Sequence, residues 1–118
     1  VVLSESGVAW LPGCVWRFSK FWRGWCAEFP CGQRALDEIV RDHFRLTVQP
    51  FDAPEEVDVA ERAIEHLRSD DMLLFASDYP HWQFDGDEAM PKAIPAALHR
   101  KIRVDNPLAT YGRLNGAP

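Results

Sequence analysis

Five consecutive apolar residues, Met72-Leu73-Leu74-Phe75-Ala76, limit what this chain can become. A strand with one wet face alternates apolar and polar residues, whereas an unbroken run is buried on both faces, as in helix-covered parallel sheets. The run ends at once in Ser77-Asp78-Tyr79-Pro80-His81-Trp82. A carboxylate, a phenol, an imidazole and an indole therefore follow a strand's carboxyl end, where α/β folds collect ligands and catalytic groups. From Asp85 the chain turns acidic (Asp85-Gly86-Asp87-Glu88) and reads as a solvated loop, with attraction of a cation as the sharper alternative.

The rest of the chain supplies partners for that strand. Val1-Val2-Leu3-Ser4 is a short apolar strand with Glu5-Ser6-Gly7 just past it. Between Val8 and Trp25, apolar residues at Leu11, Val15, Phe18, Trp22 and Trp25 follow the 4-3-4-3 spacing of one helix face, while Arg17, Lys20 and Arg23 share another. A helix packed by neighbours accounts for this pattern, with a membrane-surface helix as the alternative. A helix over Ala35 to Phe44 follows, then a strand over Arg45 to Gln49 closed by Pro50. Asp52-Ala53-Pro54 predicts the capped start of a helix with Val57, Ala60, Ile64 and Leu67 on its inner stripe. Pro95 to Arg103 is predicted helical, burying Ala97, Leu98 and Ile102, and Asn106-Pro107 to Gly112 reads as a separate final turn capped by Asn106.

Strand and helix alternate three times over connections of crossover length, which predicts parallel strands in an α/β fold. A complete (β/α)8 barrel needs about 250 residues, and three units leave two sheet edges to cover. The expectation is one partial domain over residues 1–118, about three βα units, less than half of a TIM-type (β/α)8 barrel. Val1 enters a strand with no initiator Met before it, as the tail of a longer chain would.

Composition closes off several functions. A net charge of −5 argues against nucleic acid, which selects clustered Lys and Arg. No apolar run reaches the about 20 residues of a membrane span, and no signal peptide is visible, so a cytoplasmic protein with no membrane partner is expected. Cys14, Cys26 and Cys31 are odd in number and lack C-x-x-C spacing, which favours plain thiols in a reducing compartment over disulfides or a zinc knuckle. No base or motif accompanies them for thiol catalysis.

Three stretches carry a resemblance. Val2-Leu3-Ser4-Glu5-Ser6-Gly7-Val8-Ala9-Trp10, Phe44-Arg45-Leu46-Thr47-Val48-Gln49-Pro50 and Leu74-Phe75-Ala76-Ser77-Asp78-Tyr79-Pro80-His81 resemble the C-terminal part of the amidohydrolase-related family of metal-dependent hydrolases. Lys101-Ile102 through Asn106-Pro107 to Tyr111-Gly112 matches the family's ending, and the Ser-Asp-Tyr-Pro-His block is the most specific part. The resemblance implies a (β/α)8 barrel that hydrolyses, decarboxylates or hydrates a small substrate, with zinc or another divalent metal. It makes Asp78 a metal ligand and proton acceptor. Glu5 falls where decarboxylating relatives carry a catalytic His, which favours hydrolysis over decarboxylation. The family's His-x-His and further His have no counterpart among His43, His66, His81 and His99, so the missing ligands are expected upstream of Val1.

The candidate site is therefore Asp78 and Glu5 as catalytic groups, Asp78 also as metal ligand, and His81, Trp10 and Trp82 against substrate. Each has a plainer reading. Asp78 can close an Asx turn, Glu5 can cap the Gly7 turn, His81 can bond the loop backbone, and the two indoles can be rim packing. Arg17 can pair with a substrate carboxylate, although a solvated helix face explains it as well. The function expected is a metal-dependent hydrolase of a small organic acid or amide, inactive as this portion alone. The alternatives are a decarboxylase of the same family, or a catalytically dead module that forms a homo-oligomer by pairing its sheet edges.

Overall fold

The computed structural model describes residues 1–28, 34–52, 56–82, 84, 86 and 89–116. Cys31, Ala53-Pro54 of the capping motif, and Asp85, Asp87 and Glu88 of the acidic run lie outside them. Three short strands, β1 (Val2–Leu3), β2 (Arg45–Thr47) and β3 (Leu73–Leu74), form one sheet in the order β1-β2-β3. Both pairings are parallel, with Leu46 opposite Leu3 on one side and Leu73 on the other. Helices α1 (Trp10–Ser19), α2 (Trp22–Trp25) and α3 (Leu36–His43) carry the chain from β1 to β2, and α4 (Val57–Glu65) carries it to β3. This is an α/β arrangement, as the alternating pattern requires.

Leu73 and Leu74 point to opposite faces of the sheet, and both are buried, at 0% and 3% exposure. Leu46, Val48, Met72 and Ile102 complete the centre of the core, with Ile64 and Leu67 packed from the α4 side. The strand itself is shorter than the apolar run. Met72 ends a 3-10 turn over Asp70–Met72, and the Phe75 N–H donates to the Ile102 carbonyl at 3.1 Å. Of the five-residue run, Met72 to Leu74 are buried and Phe75 and Ala76 partly so, while sheet pairing covers only Leu73 and Leu74.

The predicted 8–25 helix is broken. The Ser19 hydroxyl donates to the Val15 carbonyl at 2.7 Å, and the Phe21 N–H reaches back three residues to Phe18 at 2.9 Å. Such side-chain competition for a helix carbonyl bends or ends the helix. Leu11 is buried and Val15 packs on the core, but Phe18 and Trp25 remain 42% and 39% exposed and lie against each other. The stripe is a core contact only in its first half.

At the C-terminus, α5 (Ala96–Arg100), a π turn (Lys101–Asp105) and α6 (Asn106–Thr110) run on as one helical stretch. Ala97 faces solvent, contrary to expectation, whereas Ile102 is fully buried. Asn106 is not a free-standing cap either. Its buried amide donates to the Asp70 and Leu73 carbonyls, at 2.7 and 2.8 Å, and fastens the helix to the start of β3. Pro107 follows the π turn, where a widened ladder accommodates a residue that has no N–H to give. No described helix is long and apolar enough to cross a membrane.

On α3, the Arg41 guanidinium bonds Asp37 at 2.8 Å and holds that carboxyl below its usual pKa. A lowered carboxyl pKa contributes stability at neutral pH that is lost as the pH falls through the folded-state value.

Asn106→Ala in the full-length protein should cost about 2–3 kcal/mol, because it strips donors from two carbonyls, one of them in the core. A urea titration reads the loss as a lowered midpoint. A midpoint equal to wild type contradicts the fastening role.

Candidate active site

Parallel strands deliver their carboxyl ends to one side of the sheet. Ser4 and Glu5 after β1, Gln49 after β2, and Ala76, Ser77, Asp78, Tyr79, Pro80 and His81 after β3 line one open cleft there, of about 600 Å³. Two of these residues share a backbone oddity. Glu5 and Asp78 both adopt left-handed conformation, with φ of 55° and 62°. Non-glycine residues hold this conformation uncommonly, and it recurs at functional sites where surrounding structure enforces it. Glu5 lies two residues past β1 and Asp78 four past β3, and both line the cleft.

The loop that carries Glu5 is held by bonds from the exit of β2. Thr47, 6% exposed, accepts the Glu5 N–H on its hydroxyl at 3.0 Å and donates that hydroxyl to the Gln49 carbonyl at 3.0 Å. Asp52 accepts the N–H groups of Val8 and Ala9 on one carboxylate oxygen, at 2.8 and 3.1 Å. Asp52 was expected to cap the helix that follows it. Its carboxylate instead serves the start of α1, 44 residues back in the chain, where a negative charge meets a helix amino end; α4 begins after Glu56. Gly7 makes this possible. Its φ is 70°, and a Cβ there would overlap the Asp52 carboxylate.

Asp78 is the least accessible charged group of the cleft. Its side chain is 9% exposed, and its Oδ2 lies 3.3 Å from His81 Nδ1. The His81 N–H donates to the Asp78 carbonyl at 2.8 Å, and the Ser77 hydroxyl accepts the Tyr79 N–H at 3.3 Å, so the turn is bonded internally. A shielded carboxylate beside a half-exposed imidazole is a unit able to take and pass on a proton.

The structure brings Asp78, Glu5 and His81 to the cleft. Trp10 and Trp82 are not among the residues that line it. Trp10 begins α1 at 40% exposure, and Trp82 projects outward at 83% with its ring 5.7 Å from that of His81. Gln49, which the sequence offers only as a strand's last residue before Pro50, also lines the cleft. Its signal was the same one that marked Glu5 and Asp78: a polar side chain at a parallel strand's carboxyl end.

The amidohydrolase family model matches residues 1–113. The chain belongs to the amidohydrolase family. No individually curated protein matches it in sequence. Amidohydrolase membership points to hydrolase-type chemistry, and such enzymes generally use divalent metals. Here the donor set falls short: among the described residues, no three His, Cys, Asp or Glu side chains gather closely enough to hold a metal ion. A catalytic zinc takes about three protein ligands, so the described part of this amidohydrolase does not by itself fit one.

Gly7→Ala in the full-length protein should destabilise by roughly 2 kcal/mol or more, combining left-handed strain with displacement of Asp52. Denaturant unfolding measures it. A change within about 0.5 kcal/mol, ordinary for a surface substitution, contradicts the fit of Gly7 against Asp52.

Proposed function

We propose that the intact protein hydrolyses a small organic acid or amide, with Asp78 as its proton acceptor and these 118 residues as the last units of a (β/α)8 barrel. The observation that carries this reading is the Asp78–His81 pair in a cleft at the carboxyl ends of parallel strands. Three βα units are less than half of a barrel, so the remainder of such a fold comes from sequence outside them.

In this reading Asp78 takes a proton from the water that attacks the acyl carbon. The C–N or C–O bond then breaks, and the departing group recovers that proton, with His81 as the relay. Glu5, on the opposite side of Gln49, accepts a hydrogen bond from the substrate and orients it. A divalent metal beside Asp78 would take its remaining ligands from outside the described residues. Glu5 in place of an imidazole speaks for hydrolysis over decarboxylation, which needs a proton donor at that position. The expected partners remain a small-molecule substrate and, through the sheet edges, other copies of the chain.

The short donor set also favours a second reading, a catalytically dead module that assembles through its sheet edges. One experiment separates the two. Full-length protein is assayed for metal content and for hydrolysis of 4-nitrophenyl acetate and 4-nitroacetanilide, with and without Asp78→Asn. Turnover that drops about a hundredfold or more in the variant supports the hydrolase, as expected on removal of a general base. Turnover unchanged by the substitution refutes the role of Asp78, and none in wild type supports the dead module.

A further inference from the structure

Gln49 stands between the two carboxylates of the cleft, at the end of the central strand, and is only 7% exposed. Buried amides require partners. Its Nε2 donates to the Ala89 carbonyl at 2.8 Å, across 40 residues of sequence. Ala89 is itself 4% exposed and is followed by buried Met90, Ala93 and Ile94, so it marks where the segment that left β3 at Ser77 returns to the core. Among the described residues between those points, the backbone bonds are short-range ones: His81 to Asp78 at 2.8 Å, Phe84 to His81 at 3.0 Å and Ala89 to Gly86 at 3.3 Å. Tyr79, His81, Trp82 and Phe84 are exposed along it. Such bonds shape local turns, and the Gln49–Ala89 bond ties the segment's return to the sheet.

We infer that Gln49 is a positioning residue: its amide latches the returning end of the 77–89 segment to the central strand and so holds Asp78 and His81 over the cleft. The inference rests on the reading of those two residues as working groups. Chemistry accounts for the residue type. The Ala89 carbonyl only accepts, so the latch must donate, and an ionised Glu would set acceptor against acceptor. A side chain of Gln length also reaches from the sheet's end into the loop while leaving β2 paired on both sides.

The latch is tested in the full-length protein by hydrogen exchange over residues 77–94, together with hydrolysis of 4-nitrophenyl acetate, in wild type, Gln49→Met and Gln49→Glu. Gln49→Met keeps the length and removes the donor. Its amides at residues 84–94 should exchange about tenfold faster than wild type, the worth of one lost hydrogen bond. Its kcat should fall about tenfold to a hundredfold with KM little changed, as for misplaced catalytic groups. Gln49→Glu should behave the same near neutral pH, and its loop protection and its kcat relative to wild type at the same pH should recover as the pH falls and the new carboxyl gains a donating O–H. That recovery separates a donor's role from mere filling of space.

Exchange unchanged in both variants overturns the latch, as does a Gln49→Glu protein whose loop exchange ignores pH after correction for intrinsic rates. A loosened loop with wild-type kcat overturns the positioning role. If Asp78→Asn leaves turnover intact, or wild type shows none, the hydrolase reading alone is struck down, and loop exchange and its pH recovery still decide the latch.

Discussion

The hydrogen bonds made by the exit of β2 tie the loop after β1 and the return of the segment after β3 to the central strand. The three strands pair over only two or three residues each, so ladder bonds alone cannot orient the loops beyond them. Thr47, Gln49 and Asp52 take over where the ladder stops. One reaches the Glu5 amide, one the Ala89 carbonyl and one the amino end of α1. Each bond is worth about 1 kcal/mol net, but leaving such buried partners unpaired costs more. One short segment of the central strand therefore governs the loop before it and the loop after it.

The consequence is chemical. Parallel pairing sends Glu5, Gln49 and Asp78 to the same side, and left-handed turns at the two acids keep both carboxylates at the mouth of the sheet. The Asp78 side chain is shielded there, with the His81 imidazole 3.3 Å away. Amidohydrolase membership supplies the class of reaction. The described residues supply the carboxylate and imidazole but not a metal's donor set, which is why catalysis is assigned to the intact protein.

Burial was the legible part of the sequence. The Met72 to Ala76 run announced a two-sided core strand, the alternation of elements announced parallel pairing, and strand-end position pointed to Glu5 and Asp78. What escaped was anything settled by a partner distant in sequence. Asp52 precedes a helix and has the chemistry of its cap, yet its carboxylate is used by α1; only the approach of Gly7 reveals this. Asn106 before Pro107 has the form of a helix start, but a core location gives its amide two carbonyls to bind. Phe18 and Trp25 keep helical spacing with Leu11, but Ser19 breaks the helix between them. Local sequence shows which groups can bond; the fold decides which carbonyl or amide is within reach.

Amide-resolved hydrogen exchange in the native full-length protein tests the governing role of the β2 exit most directly. The amides of Glu5, Val8 and Ala9, lying outside the sheet ladder, should exchange at least about tenfold more slowly than unstructured peptide. Thr47→Val should release Glu5 selectively, and Asp52→Ala should release Val8 and Ala9. Free exchange at all three amides in the unmodified protein contradicts the account.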